Sequence, residues 1–246
     1  MSGGKKMRFE NKTAVIATSG GSIGLECARK LEEEGAKVII LDLDHAEAEN
    51  LSSSDTRCVV PVNCFYDEAE VEEKLKKASE AFAPVDIVVT NLISKPSDCA
   101  WNEITEEEAH RIFDEIMTGV QTVLKFTVPT MIERSSGSIV IIENLAGRTG
   151  VKGANVITSA AYAGLSGMIR NMATVYGKNM ITVNGVAVGP IEGQYFEPEA
   201  AKNLRPELGK TGTGEDVANA VMYLADPEVF WNEGEIVDLN GGRFAV

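Results

Sequence analysis

Residues 17–44 read "ATSGGSIGLECARKLEEEGAKVIILDLD", and they decide the fold. The segment is entered by "TAVIAT" (13–18), a short apolar run of the kind a strand buried on both faces requires. Ser19, Gly20 and Gly21 break that run, and apolar residues return at helical spacing through "IGLECARKLEEEG" (23–35). "KVIILD" (37–42) is a second buried run. Strand, glycine-rich turn, helix and strand in succession make a parallel β-α-β unit, because a parallel pair needs a crossover between its strands.

The alternation continues along the whole chain. "CVVPV" (58–62), "DIVVTN" (86–91), "SIVIIEN" (138–144), "ITVNGVAV" (181–188) and "GEIVDL" (234–239) are further Val- and Ile-dense runs. Helical patterns separate them: "EAEVEEKLKKASEAF", "EEEAHRIFDEIMTGVQTVLKFTVPTMIE", a segment opening at "TSAAYAGLSG" (158–167), and "GEDVANAVMYLAD". Repeated β-α-β units predict an α/β fold, a single doubly wound parallel sheet of about seven strands with helices on both faces. The whole of 1–246 reads as one domain. Within it 189–213, rich in Gly and Pro, is expected to be a substrate loop or lid.

Composition narrows the function. Lys and Arg number 23 against 37 Asp and Glu, a net charge of −14, which disfavours nucleic acid and anionic membrane as partners. No apolar stretch approaches a membrane span, and polar "RFENKT" follows "MSGGKKM" where a secretory signal would carry an apolar core. Cys27, Cys58, Cys64 and Cys99 show no metal or disulfide spacing, and only His45 and His110 are available as imidazole ligands. A soluble, cytoplasmic, metal-free protein is expected.

In doubly wound sheets ligands sit beyond the C-terminal ends of the strands. There the glycine-rich turn lets backbone N–H groups approach a pyrophosphate at a helix N-terminus. Asp42 ends the second run 18 residues beyond Gly24. A carboxylate there accepts from an adenine-ribose 2′-hydroxyl and repels a 2′-phosphate, favouring NAD over NADP.

With "SIG", "GSIVIIENLAGRTG", "AGLSGMIRNMATVYG", "ITVNGVAVGPI", "LGKTGTGEDVANAVMYLAD" and "GEIVDLNGGR" in this order, nearly the whole chain resembles the short-chain dehydrogenase/reductase family. The resemblance implies a Rossmann-type NAD(P)-dependent oxidoreductase. It implies cofactor contacts at Thr18, Gly20, Gly21, Ser22, Ile23, Gly24, Asp42, Asn63, Asn91 and Gly189.

The catalytic set departs from the family pattern. Aligning "SIG" with the family's G-I-G puts Thr18 at the first glycine and Ser22 at the second, leaving Gly24 as the third. "TNLI" (90–93) replaces N-N-A-G, keeping Asn91 but placing Leu92 and Ile93 near the cofactor floor. Counting back from Pro129 puts Ile116 at the catalytic Asn, and Asn144 falls at the catalytic Ser. Spacing to Gly177 and Asn184 puts Thr158 at the Tyr and Tyr162 at the Lys, while Val188 replaces a Pro beside Gly189. In the family an ammonium draws a tyrosine with pKa near ~10 toward its phenolate, and the pair exchanges a proton with substrate. Thr158 cannot ionise and Tyr162 carries no positive charge, so the ~10²–10⁴-fold that general acid–base catalysis supplies is lost. Thr18 and Ser22 are also expected to crowd the phosphate seat, so NAD(H) binding should be weak or absent.

Alternative constellations are thinner. Lys95 with Glu143 could form an acid–base pair, with Ser94 and Arg148 nearby, but surface charges are the more ordinary reading. Cys99 and His110 lack a positioning third group. Three functions stay open: a catalytically degenerate subunit supporting an NAD-dependent dehydrogenase, one acting on hydroxyacyl-CoA compounds for example; an active NAD-dependent oxidoreductase with a non-standard site; and a nucleotide-binding sensor without turnover. A homo- or hetero-oligomer, dimer or tetramer, is expected. "IFDEIMTGVQTVLKFTVPTMI" is apolar on more than one stripe, and the following long helix carries the small residues Ala160, Ala161, Ala163, Gly164 and Gly167. An intact family paralogue is the expected partner.

Overall fold

The computed structural model describes residues 7–46, 53–80, 82, 84–94, 101–193 and 206–244. Seven strands form one sheet: β1 (Thr13–Thr18), β2 (Lys37–Asp42), β3 (Arg57–Pro61), β4 (Ile87–Asn91), β5 (Gly137–Asn144), β6 (Ile181–Val188) and β7 (Ile236–Leu239). Their order is β3-β2-β1-β4-β5-β6-β7, and all neighbours are parallel. The strand order reverses between β1 and β4, so the crevice of this Rossmann-type fold opens at the C-terminal ends of those two strands. β7 starts two residues later than its apolar run, because Gly234 takes φ 72°.

Alternation along each strand explains why the runs are apolar throughout. Val15, Ala17, Ile39, Leu41, Val88, Ile139 and Ile141 face one layer, and Ala14, Ile16, Val38, Ile40, Val89, Val140 and Ile142 face the other. The first layer holds α2 (Glu68–Glu80), α3 (Glu106–Phe113), α4 (Gly119–Arg134) and α5 (Val156–Tyr176). The second holds α1 (Ser22–Glu33) and α6 (Gly214–Leu224). No helix among the described residues is long and apolar enough to cross a membrane.

Two helices differ from their sequence pattern in ways that bear on the site. The pattern 106–133 reads as one helix, yet a π turn at Asp114–Thr118 separates α3 from α4. Its extra residue shifts the register at Ile116, and such turns often mark functional positions in helices. α5 begins before Thr158, at Val156, because the Asn155 Oδ1 accepts from the N–H groups of Ile157 at 2.8 Å and Thr158 at 3.3 Å. The cap fixes the first turn of α5 at the mouth of the crevice.

Two contacts then set how α1 and α5 lie on the sheet. Thr18, fully buried, fills the gap between β1 and α1, and a Cβ on Gly24 would lie 2.6 Å from its Oγ1 and 2.7 Å from its Cβ. Between β5 and α5, Glu143 is buried with the Ser166 hydroxyl 2.9 and 2.8 Å from its two oxygens. Burial pushes the Glu143 carboxyl up to about 7, against the Ser166 hydrogen bond and the charges of Arg148 and Arg170; Asp238 adds to the rise.

Both contacts have measurable consequences. Gly24→Ala should cost about 1–3 kcal/mol in urea denaturation through overpacking. It should cost far less when Thr18→Gly is also present; an equal cost in both backgrounds would show that the Thr18 contact is not the cause. For Glu143 the folded pKa, about 7, lies above the ordinary 4.5, so between these values the folded chain keeps a proton that the unfolded chain has released. The stability it contributes is complete below the lower value and is lost as pH rises through the upper one, by at most about 1.4 kcal/mol per pH unit. The stability difference between the natural chain and Glu143→Gln should therefore decline from pH 5 to 7 and then level off. A difference independent of pH would refute the assignment.

Candidate functional site

The crevice is floored by the turn between β1 and α1. Gly20 and Gly21 take φ 88° and 85°, a region open to glycine, and Gly21 is the N-cap of α1. No side chain caps this helix and its first turn carries no acidic residue, so its partial positive charge suits an anion. Thr18 does not crowd that seat, contrary to the sequence expectation. It turns beneath the helix toward Gly24, its Oγ1 donating to the Gly20 carbonyl at 3.4 Å. Ile23 likewise points into the core of the second layer. Ser22 does reach across: its Oγ donates to the Glu192 carbonyl at 2.9 Å, leaving no room for a phosphate between those two atoms.

The other expected cofactor positions surround the same opening. Asn91 is buried at the end of β4 in register with Thr18, and its carbonyl accepts from the Ser19 N–H at 3.2 Å. Asp42 ends β2 beside Thr18 but is fully buried, and its Oδ1 accepts from the Asp44 N–H at 2.9 Å. Asn63 is exposed and turned away, its Nδ2 donating to Glu70 Oε1 at 2.8 Å. Gly189 serves the sheet edge: a Cβ there would lie 2.9 Å from the Asn240 Cα. The turn, β2 and β4 thus converge, whereas Asn63 and Gly189 have local structural partners.

At the four positions that the sequence resemblance aligns with the family's catalytic set, three side chains are engaged with the protein itself. Ile116, fully buried in the π turn, belongs to the first-layer core. Asn144 folds back, its Oδ1 accepting from the Ala146 N–H at 2.9 Å to start a short 3₁₀ turn over Leu145–Gly147. Thr158 is half-buried in the first turn of α5. Tyr162 is buried, and its hydroxyl donates to the Leu92 carbonyl at 3.4 Å, bracing α5 against the segment after β4. Gly147 lets the turn after β5 lie close against α5, since a Cβ there would lie 2.7 Å from the Tyr162 Cβ and 2.8 Å from the Ala163 backbone nitrogen. Leu92 is buried too and packs on Gly119 at the start of α4.

The alternative constellations fall partly outside the described residues. Lys95 and Cys99 lie outside the described residues, and His110 is exposed on α3. Arg148 pairs with Asp238 at 3.1 Å. Ser94 is held by Arg111, which also pairs with Glu108 and Glu115; their hydrogen bonds keep the guanidinium firmly charged. That cluster went unread in the sequence, although Arg111 stands three residues after Glu108 and four before Glu115, the spacing of helical ion pairs. Among the described residues no group of three His, Cys, Asp or Glu could hold a metal ion.

Comparison with known proteins agrees with this architecture. The family model described as "Enoyl-(Acyl carrier protein) reductase" matches residues 17–243. Galactitol 2-dehydrogenase of Agrobacterium fabrum is 29% identical over 97% of this chain and 99% of its own. The (2S)-[(R)-hydroxy(phenyl)methyl]succinyl-CoA dehydrogenase subunit BbsD of Thauera aromatica is 30% identical over 96% of this chain and 98% of its own. Among solved structures, a short chain dehydrogenase/reductase family protein superposes with a TM-score of 0.83 at 28% identity, covering 98% of this chain and 100% of its own. From the glycine-rich turn to the last strand, the chain belongs to the short-chain dehydrogenase/reductase family, whose Rossmann fold typically binds NAD(H).

Proposed function

We propose that this protein is a non-catalytic subunit supporting an NAD-dependent dehydrogenase of the same fold, one that acts on hydroxyacyl-CoA-type substrates. The observation that carries this reading is the state of the four catalytic positions. Ile116 and Thr158 cannot exchange a proton near neutral pH, Asn144 caps its own turn, and the Tyr162 hydroxyl is held by a backbone carbonyl. An active enzyme with a rebuilt site would need another acid or base within reach of a substrate. Glu143 has a suitable pKa, about 7, but is only 1% exposed and lies against Ser166.

The likeness to BbsD supports the substrate class, since the name of that relative describes a subunit of a CoA-thioester dehydrogenase. Pairing is supported by the outer surface of α4 and α5. Leu124, Val128, Pro129, Ile132, Met168 and Met172 line an apolar groove there, and Ala160, Ala163 and Gly167 leave α5 open to close approach by another helix. A nucleotide-binding sensor is the second reading, favoured by the N-terminus of α1, which no side chain caps, beside the positive-φ Gly20 and Gly21. The segment 189–213 belongs to this reading as a loop over the crevice; of it, 194–205 lies outside the described residues.

The purified chain alone should show no NAD- or NADP-linked reduction of ketones or 3-ketoacyl thioesters above background. Co-expressed with a paralogue that keeps the family's Tyr and Lys, it should form a mixed dimer or tetramer. The activity of that oligomer should vanish when the paralogue's own Tyr is replaced and persist in Tyr162→Phe of this chain. Robust turnover by the isolated chain, abolished in Asn144→Ala, would sink the proposal, as would a strictly monomeric chain that recovers no paralogue.

A further inference from the structure

The end of α1 that should receive a pyrophosphate is covered by the chain itself. Two short segments meet there, 190–193 after β6 and 211–214 before α6. Ser22 Oγ donates to the Glu192 carbonyl at 2.9 Å. The Gly193 carbonyl comes so close that a Cβ on Gly21 would lie 3.0 Å from its oxygen, and a Cβ on Gly214 would lie 2.7 Å from the Ser22 carbonyl oxygen. Glycine at 21 and 214 is thus what allows the segments to close on the turn.

The cover is braced rather than draped. Ile191 bridges to Gly212, the Glu192 N–H donates to the Gly212 carbonyl at 2.9 Å, and the Gly212 N–H donates to the Pro190 carbonyl at 2.9 Å. Thr211 adds a 3.3 Å bond to the Glu192 carboxylate. Thr213 then caps α6 in a reciprocal box with Asp216, and Glu215 on α6 pairs with Lys30 on α1 at 2.9 Å. The second segment is therefore tied to the helix whose end it covers.

Electrostatics make the closure competitive with an anion. A helix N-terminus attracts negative charge, and here backbone carbonyl oxygens of Glu192 and Gly193 approach it. Phosphate oxygens are acceptors as well, so they cannot replace Ser22 as a partner of the Glu192 carbonyl and would face it unfavourably. The hydroxyl belongs to the one residue of the "SIG" motif that stands where the family keeps a glycine.

We infer that Ser22 latches the 190–193 segment over the phosphate seat, so that a dinucleotide binds only by breaking the Ser22–Glu192 hydrogen bond and displacing that segment. This deepens the non-catalytic reading and rests on it only for the absence of turnover. Ser22 is then a determinant of binding, distinct from the four catalytic positions.

The test is titration of the full-length chain with NADH, followed by calorimetry and by nucleotide fluorescence, alongside Ser22→Ala and Ser22→Gly. One neutral hydrogen bond is worth about 1 kcal/mol, so its loss should tighten binding about fivefold in Ser22→Ala. Ser22→Gly, which also removes the Cβ, should tighten it at least as much. Thermal unfolding of both variants without nucleotide checks that each is folded. Equal affinity in the natural chain and both folded variants would overturn the latch, as would weaker binding in Ser22→Ala. Undetectable binding in all three would overturn it too, because the seat would then be closed for another reason. Tightened binding without turnover supports both inferences; turnover appearing in Ser22→Gly would leave the latch standing and overturn the non-catalytic reading.

Discussion

The contact between Thr18 and Gly24 governs the rest of the crevice. α1 can lie against β1 only as closely as these two residues permit, and the missing Cβ at Gly24 is the space that Thr18 fills. With α1 seated at that distance, Gly20 and Gly21 turn the chain at positive φ and direct the helix end toward the ends of β1 and β4. The same seating brings α1 against α6, where Lys30 meets Glu215 and Gly214 meets Ser22. The Thr18 side chain is thus absorbed by packing, with the helix left in place.

Polar groups at the mouth of the crevice follow a common pattern. Ser22 donates to the Glu192 carbonyl, Asn144 accepts from the Ala146 N–H, and the Tyr162 hydroxyl donates to the Leu92 carbonyl. Each side chain stands at a position that the sequence resemblance assigns to cofactor or substrate, and each finds a backbone partner within its own chain. Buried polar groups left unpaired are costly, and such partners remove that cost. An active site keeps some of them available instead, at a cost in stability.

The layout of the sheet was legible because period and burial act locally. Seven apolar runs became seven parallel strands, and the residue types at 17–44 already carried the crossover unit and its glycine turn. The direction of Thr18 was not legible, since spacing along the chain does not say whether a side chain at a strand end points toward the helix or the ligand. The π turn at Ile116 was hidden for a related reason: "IFDEIMTG" has helical periodicity throughout, and the extra residue is accommodated by contacts with Leu92 and Phe65 around Gly119. The partner of Ser22 lies 170 residues away, in a segment that composition marked as a loop or lid without indicating what it touches. The family resemblance proposed the positions of the site; tertiary contacts decide what each side chain touches.

The glycines at 21, 147 and 214 are each required by a close tertiary approach. Gly147 admits the backbone of α5 at Tyr162 and Ala163, and Gly21 and Gly214 admit the segments that close over α1. Under the reading proposed above, the role of this chain lies on its outer surfaces, and the apolar groove between α4 and α5 is one that a helix of another subunit would fit.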